Sequence, residues 1–536
     1  MAKLKTIFFI GLFAAVGILA YIASVRMVST GDLVESGDLQ STKYGSFLAA
    51  QHAIYTNDFD SANKFAVDFE GVEYDIVKET RTLVEFLSGE IPSNIEKLRD
   101  DKTIISRMIY DAYLAKNDRW GDMYKRFYTN KSAVYAPFRI WSGVGAGRTD
   151  EVLKYIEKSE SNPAWKTFIR GQIYAESGDF EKAAGLFANV PTAFMNMNDY
   201  LYVMSFYRAH GMNENAEMLR KTFSATPGGM FLSYYEDIPD WETNFAGVKN
   251  ELAFNVVQNV SHTQIMLYSD LSVLMLRFAQ IIGPETQFFR DMINYYTGQF
   301  FANTRGNYAH YFDSISVASP FYLFAKMQTV DSVDEMKKIL STHQLFIPAL
   351  NKIVAEYIRA GDKSAALRTI NQTLSNEKLS DSGRAYLLKR RAFVYMMFGD
   401  LESAQADIHD VAKIQIVDPE VLMLQARIWA AQNREIENAY DYAMTLVKRD
   451  PMDVVAWDTV AVVVGVREGN SAALEILEKI GGTANNCSAL FEHLGDAYVV
   501  AGKKDLARDA YNRAIELSED GLTIVPNIEK KIRKIK

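Results

Sequence analysis

Cysteine is almost absent from this sequence, since Cys487 is the one thiol among 536 residues. A single thiol forms no internal disulfide and supplies no thiolate-rich zinc site. The seven histidines are scattered, and no two stand three or four residues apart, where ligands on one helix would meet. We therefore expect neither a disulfide framework nor a metal site.

Excess positive charge and catalytic motifs are also missing. The net charge of -9 at pH 7 argues against nucleic acid as a partner, because phosphate binding needs a basic surface. No Gly-x-Ser-x-Gly nucleophile turn occurs, and the glycine-rich residues 143–147 lack the strand and final glycine of a nucleotide-binding loop. The pair Asp407 and Asp410 has the pattern of a solvated helix face. We expect no catalytic residue, no cofactor and no enzymatic activity.

Long apolar runs are absent except for one at the start. Residues 6–25 carry no charge, Lys3 and Lys5 precede them, and Arg26 follows. Twenty helical residues reach about 30 Å, the thickness of the hydrocarbon core of a bilayer. We predict an uncleaved transmembrane anchor over residues 1–26, with the amino terminus in the cytoplasm because the positive charge precedes the span.

A cleaved signal peptide is the alternative reading of the same stretch. Tyr21 and Ile22 stand where a cleavage site after residue 23 or 24 needs a small side chain, which favours the anchor. Residues 27–43 are rich in Ser, Thr, Gly and Asp and are interpreted as a linker.

Helical periodicity dominates the rest of the chain, and strand signals are lacking. Residues 491–517 read FEHLGDAYVVAGKKDLARDAYNRAIEL, two amphipathic helices around a turn at 501–503. Small residues stand where the helices must approach closely, and large ones stand where a gap must be filled. This pattern resembles a tetratricopeptide repeat. Its motif positions are Phe491, Leu494, Gly495 and Tyr498 in the first helix and Ala507, Tyr511 and Ala514 in the second.

The pattern recurs upstream at a fixed period. The small position of the second helix returns every 34 or 35 residues, at Ala404, Ala439, Ala473 and Ala507. One unit cannot bury its apolar face alone, so neighbouring units must stack. We predict an all-α, right-handed superhelical solenoid of helix-turn-helix repeats behind the N-terminal transmembrane helix. The aromatic and turn positions of the same register are Trp457, Tyr395 and Gly399.

The opening helix of the repeats carries a further resemblance. It contains Tyr44-Gly45, Leu48-Ala49 and His52-Ala53, and a turn of the type Gly-Arg-x-Asp-Glu follows at 147–151. The order is similar to that of long repeat proteins of alphaproteobacterial cell envelopes. The resemblance implies a continuous all-helical solenoid in a cell envelope. Together with the predicted anchor and its preceding lysines, we expect a single-pass protein of the bacterial inner membrane with a periplasmic repeat domain, or a periplasmic protein if the segment is cleaved.

Three repeat regions follow the linker in this interpretation. Residues 44–240 are N-terminal repeats, residues 241–345 are irregular and aromatic-rich helical repeats, and residues 346–536 are C-terminal repeats with a capping helix. Residues 247–280 keep helix-pair spacing, and their second half is apolar on most sides. We expect that half to be deeply buried.

The function predicted from these patterns is a non-catalytic, membrane-anchored scaffold that binds a protein or an extended peptide on its concave face. The alternatives are an accessory component of envelope assembly, with an enzymatic or glycan-binding role on polysaccharide or peptidoglycan, and a purely structural spacer. The sequence sets neither the partner nor the oligomeric state. Candidate residues of the partner groove, taken from first-helix positions not needed for packing, are Arg391, Arg427, Glu492 and Asp496.

Two local predictions concern the last repeats. His493 is expected to face outward from its helix. The basic tail is expected to form a capping helix, in which Ile528, Ile532 and Ile535 seal the last repeat and the lysines face water. A lipid-binding or acid-binding patch is the alternative for the tail.

Overall fold

The computed structural model describes residues 43–535, with gaps. The predicted anchor (1–26) and the linker (27–43), except its last residue, lie outside the described part. Within the described residues, no helix is both long and apolar enough to cross a bilayer. The gaps are residues 56–58, 69–74, 93–94, 101–103, 131, 225, 233–245, 263–269, 304–307, 331, 415–417 and 483–485.

The described chain is all-helical and contains no strand, which confirms the predicted class. It divides into two compact units. Among the described residues, one comprises 43–191, 201–212 and 246–325, and the other comprises 192–200, 213–232 and 326–535, with the gaps given above. The helices up to residue 329 are α1 Lys43–Tyr55, α2 Phe59–Asp68, α3 Asp75–Leu87, α4 Ile104–Lys116, α5 Trp120–Phe127, α6 Ala136–Gly145, α7 Thr149–Lys158, α8 Pro163–Glu176, α9 Phe180–Ala188, α10 Met197–Ala209, α11 Asn213–Ser224, α12 Val248–His262, α13 Asp270–Ile282, α14 Gln287–Asn303, α15 Ala309–Asp313 and α16 Tyr322–Thr329.

The remaining helices all belong to the second unit. They are α17 Val333–Thr342, α18 Ile347–Ala360, α19 Lys363–Leu374, α20 Asp381–Met397, α21 Leu401–Ile414, α22 Pro419–Gln432, α23 Ile436–Arg449, α24 Val454–Arg467, α25 Asn470–Gly481, α26 Ser488–Val500, α27 Lys504–Glu516 and α28 Val525–Lys534.

A Gly-Asp dipeptide forms the turn in three of the helix pairs, α8/α9, α18/α19 and α20/α21. Gly361 ends α18 in the left-handed region (φ 80°), where a side chain is disfavoured. Asp362 then caps α19, because its carboxylate accepts the amide of Ala365 at 2.9 Å. Gly178 and Asp179 do the same between α8 and α9. Of the glycine-rich residues 143–147, the first three form the end of α6, and Ala146 and Gly147 (φ 71°) belong to the turn before α7.

In the first unit, helices α4 to α9 form three antiparallel pairs, and the hairpin of α12 and α13 packs against them. Helix α12 contacts α6, and α13 contacts α3 and α4. The ring centres of Phe138 on α6 and Phe278 on α13 are 4.8 Å apart. Almost every apolar side chain of α13 is buried, which confirms the expectation that this segment lies deep in the protein.

The second unit contains five consecutive pairs, α18/α19 to α26/α27, and α28 covers the last pair. The first helices of successive pairs also contact one another, from α20 through α22 and α24 to α26. Each pair thus buries one helix face against its partner and another against the next pair, as a tetratricopeptide-like stack requires.

The recurring alanines occupy equivalent places in this stack. Each lies on a second helix at its crossing with the first, and their exposed fractions are 0% for Ala404, 0% for Ala439, 6% for Ala473 and 0% for Ala507. Gly495 lies against the ring of Tyr511. The other predicted motif positions also lie where the repeat pattern requires. The buried ones are Leu494, Tyr511 and Ala514, and the ones partly buried between pairs are Tyr395, Trp457 and Tyr498. The turn residue Gly399 has φ 78°.

Candidate interaction face of the C-terminal repeats

The first helices α18, α20, α22, α24 and α26 form a continuous row, which we call the first-helix face. The four candidate groove residues all lie on these helices. The structure places each of them in ion pairs or hydrogen bonds with neighbouring helices of the same unit.

Arg391 on α20 makes a two-pronged ion pair with Asp407 on α21. The distances are 2.8 Å from Nε to Oδ2 and 2.6 Å from Nη2 to Oδ1. A third contact of 2.6 Å joins Nη1 to Asn371 on α19. Asp407 is buried, with 4% of its surface exposed, so the expectation of a solvated carboxylate pair is wrong for it. Asp410 is exposed.

Arg427 on α22 is bound to the next first helix. Its Nη2 lies 2.7 Å from Oδ2 of Asp458, and its Nε donates to Thr459 at 2.9 Å. Asp458 is fully buried on α24, and its other oxygen lies 2.8 Å from Nδ1 of His493 on α26. The prediction that His493 faces outward is therefore wrong, because its ring points to Asp458.

Electrostatics in this cluster favour the ionised forms. Burial raises the pKa of Asp458, but the charges and hydrogen bonds of His493 and Arg427 outweigh it, so the pKa lies below its usual value. Burial lowers the pKa of His493, but Asp458 outweighs it, so the pKa lies above its usual value. One carboxylate thus joins three successive first helices.

Glu492 and Asp496 on α26 are both bound by the capping helix. The ammonium of Lys531 on α28 lies 2.8 Å from Glu492 and 2.7 Å from Asp496. The hydroxyl of Tyr511 also donates to Asp496 at 2.6 Å. Ile528 is fully buried, and Ile532 and Ile535 pack on the same cluster as Ala507, so the isoleucines cap the last repeat as predicted. The prediction that the lysines face water is wrong for Lys531, because its ammonium is bound by Glu492 and Asp496.

We call residues 518–526 the closing segment; it comprises a 3-10 turn at Ser518–Asp520, the connection that follows and the first two residues of α28. The segment contacts α18, four pairs away in the stack. Gly521 has φ 69°, and a Cβ at this position would come within 2.5 Å of Cβ of Ala355 on α18. Ile524 has extended backbone (φ -106°, ψ 100°) and belongs to the buried cluster of α18 to α22. Leu522 packs against that cluster and against the cluster of α24 to α27.

Asp520 fixes one end of the closing segment. Its carboxylate accepts the backbone amide of Ser488 at 2.8 Å and the hydroxyl of Ser488 at 2.5 Å. Cys487, the N-cap residue of α26, makes no side-chain cap of its own. Asp520 therefore supplies the negative charge that a helix N-terminus favours.

Several polar groups around the closing segment lack hydrogen bonds. Nε of Arg390 on α20, Oδ1 of Asn351 on α18 and the hydroxyl of Thr523 are buried and make none among the described residues. Burial lowers the pKa of Arg390, and the charges of Tyr386, Glu420 and Asp520 oppose that effect. A buried cation therefore lies within electrostatic range of Asp520.

A separate cavity of about 200 Å³ lies among α17, α18 and α19. Its lining is mostly hydroxyl and amide groups, with one ammonium at 5.5 Å from the ring centre of Tyr357. Such a lining suits a small polar group. The polar lining residues are Lys337, Ser341, Gln344, Tyr357, Thr369, Gln372 and Thr373.

Two further kinds of site could supply chemistry, a reactive thiol at Cys487 and a group of metal ligands. The thiol is buried, and burial raises its pKa to about 11, so it is protonated at neutral pH and unreactive. Among the residues that the structure describes, no three His, Cys, Asp or Glu side chains are grouped to hold a metal ion.

A buried polar cluster lies in the first unit, where α12 meets α8. Glu251 is 2% exposed and accepts hydrogen bonds from the hydroxyl of Tyr202 and, at 3.1 Å, from Nε2 of Gln172. Glu176 accepts the amide of Gly247 at 2.8 Å. Burial raises the pKa of Glu251 well above its usual value. These contacts fix the hairpin on its repeats.

Sequence reasoning missed the closing segment and the partners of Asp458. A weak signal existed for the segment: Asp520-Gly521 is a turn dipeptide, and Leu522 and Ile524 are separated by one residue. No sequence signal indicated the contact with α18, because those residues lie more than 150 positions apart.

No protein-family model matches the chain, and no curated protein matches it. It is similar to the crystal structures of a tetratricopeptide repeat protein from Parabacteroides merdae (14% identity, TM-score 0.31, 54% of this chain and 99% of that one) and of the APC/C hetero-tetramer Cut9-Hcn1 (13% identity, TM-score 0.33, 93% and 90%). Yeast Tom70 is also similar (12% identity, TM-score 0.24, 92% and 96%). The tetratricopeptide-like assignment follows from the stacked helix pairs of the chain itself, since TM-scores this low add nothing to it.

Proposed function

We propose that this protein is a non-catalytic interaction scaffold whose first-helix face receives an extended polypeptide. The observation that carries the proposal is the closing segment itself. A stretch that forms a 3-10 turn at Ser518–Asp520 and has extended backbone at Ile524 already lies on α18 and at the start of α26, held by two aliphatic side chains and one carboxylate. A surface that holds one such peptide has the chemistry to hold another.

The candidate groove residues fit this proposal in a supporting role. Each of them forms an ion pair within the unit and so holds the helices in register. The pairs are Arg391 with Asp407, Arg427 with Asp458, and Glu492 and Asp496 with Lys531. A partner would then bind a pre-organised surface, which lowers the entropic cost of association.

We further propose that residues 6–25 anchor the scaffold in a bacterial inner membrane, with the repeats in the periplasm. The support is the uncharged run and the lysines before it. Removal of residues 1–26 should move the protein from the membrane fraction to the soluble fraction. Equal recovery of both forms in the soluble fraction would exclude the anchor.

Site-specific crosslinking tests the scaffold. A photo-reactive amino acid replaces Glu356 on α18, which neighbours the closing segment, and in a matched control it replaces Glu475, exposed on the second helix α25. We expect a defined protein neighbour to be crosslinked at 356 and absent at 475. The same neighbours at both positions, or none at 356, would exclude a partner on the first-helix face.

A further inference from the structure

The closing segment combines features of a bound ligand rather than of an ordinary connection. A linker between α27 and α28 need only reverse the chain, since these two helices are in contact. Instead the chain contacts α18 in addition to the last pair, and it places Gly521 against the backbone of Ala355. Fixing these residues for the distant contact with α18 costs conformational entropy.

Each anchor of the segment has a distinct chemical role. Asp520 caps the N-terminus of α26 at Ser488 and lies in the field of Arg390. Gly521 permits the close approach to α18, where any side chain would collide with Ala355. Leu522 and Ile524 supply the apolar contacts. An acidic residue, glycine and two aliphatic residues thus follow one another in the order of a short recognition motif.

We propose that residues 518–526 are an intramolecular competitor for the partner, and that the partner presents a short segment in which an acidic residue in a turn is followed by two aliphatic residues spaced like Leu522 and Ile524. The inference rests on the proposed function, because it names the ligand chemistry and the regulation of the same face. The partner must displace the segment, so its apparent affinity is reduced by the fraction of chains that are closed.

The buried polar groups support an exchangeable occupant. Arg390, Asn351 and Thr523 each leave one buried polar atom without a hydrogen bond among the described residues. Unsatisfied buried groups are costly. A partner that offers hydrogen bonds to Arg390 or Asn351 would therefore gain an advantage over the closing segment.

The test adds the closing segment as a separate peptide to the full-length protein and measures its binding. Leu522→Ser combined with Ile524→Ser weakens the internal competitor, and a fluorescent peptide of residues 517–527 serves as the ligand. We expect this variant to bind the peptide at least about tenfold more tightly than the parent, a difference of about 1.4 kcal/mol. A peptide with serine at both aliphatic positions should not bind.

Two controls separate competition from general loosening. Val500→Ser combined with Leu506→Ser removes exposed apolar side chains (71% and 46% exposed) from the last pair and should bind like the parent. In the Leu522/Ile524 background, Arg390→Met should lower the affinity for the peptide about tenfold. A peptide with asparagine in place of Asp520 should bind more weakly than the original peptide to protein that keeps Arg390. The two peptides should bind equally well to the Arg390→Met protein.

Each outcome decides the inference. If the variant keeps its helical circular dichroism and binds the peptide no better than the parent, the inference is wrong. If the Leu522/Ile524 variant unfolds, the Asp520→Ala variant is tested in its place, and the same gain in peptide binding is expected. Unfolding of both variants would show that the segment is part of the repeat core and would overturn the inference. Crosslinking at Glu356 tests the scaffold separately, because a partner of different chemistry would still be captured there.

Discussion

The ring of Tyr511 lies over Gly495, so that a Cβ atom at position 495 would come within 2.5 Å of two ring carbons. The same relationship joins Gly171 and Phe187 in the other unit, again with a closest approach of 2.5 Å. Both glycines stand on a first helix and both rings on the following second helix, sixteen residues later. The rule of one small and one large side chain at a helix crossing therefore operates in both units.

Gly171→Ala and Gly495→Ala should each lower the free energy of unfolding by about 1–3 kcal/mol, because the added methyl group forces a buried ring to move. Urea unfolding followed by circular dichroism measures the change. The control is Gly185→Ala on α9, where an added Cβ would meet no atom within 4 Å. There alanine should raise stability by about 0.5–1 kcal/mol through helix propensity, and a shift of all three variants in one direction would contradict the packing rule.

Asp458→Ala should be among the most damaging single changes in the second unit. It leaves the guanidinium of Arg427, only 10% exposed, without its partner, and breaking a buried ion pair costs about 3–5 kcal/mol. Thermal unfolding of the variant measures the loss. Glu151→Ala, which breaks the exposed pair with Arg148, should change stability by less than about 0.5 kcal/mol. Comparable losses in the two variants would disprove the role assigned to Asp458.

His493 should make the second unit more stable in mild acid than in mild base, relative to a variant that cannot titrate. Its pKa is raised in the folded chain, so its contribution is complete below the unfolded value of about 6.5 and disappears as pH rises through the folded pKa. The difference in unfolding midpoint between the parent and His493→Gln should therefore shrink between about pH 6 and pH 9. A constant difference would exclude the charged contact with Asp458.

Glu251→Gln should remove a pH dependence of the same sign from the first unit. A carboxyl with a raised pKa binds its proton more tightly in the folded chain, so the parent loses stability as pH rises above about 4.5. The amide keeps an acceptor for Tyr202 and carries no charge. Urea midpoints should show the variant gaining on the parent from about pH 5 to pH 8, whereas Glu285→Gln on the surface should run parallel to the parent.

The repeat architecture could be predicted because its determinants are local. The period of Ala404, Ala439, Ala473 and Ala507 indicates which faces are small, and residues such as Gly399 and Gly502 mark turns. Within a helix pair the partners are only about sixteen positions apart, so spacing alone identifies them.

The candidate site could not be predicted to the same degree, because its contacts join residues far apart in sequence. Arg427 has the pattern of a free surface cation, and only the stacking of α22 on α24 brings it to Asp458, 31 positions away. Ser488 and Asp520 are 32 positions apart, and Gln172 and Glu251 are 79 apart. Periodicity defines which side of a helix is covered and does not identify what covers it.

The burial of Cys487 has a practical consequence for spectroscopy. Its thiol, 4% exposed and with a pKa of about 11, should react slowly with maleimide reagents at neutral pH, because the thiolate is the reactive form. New cysteines introduced on the surface can therefore be labelled with dyes or spin probes against a nearly silent native background. A pair of labels, one on the closing segment and one on α18, would report the distance between them in the intact chain, and its lengthening would reveal opening in real time.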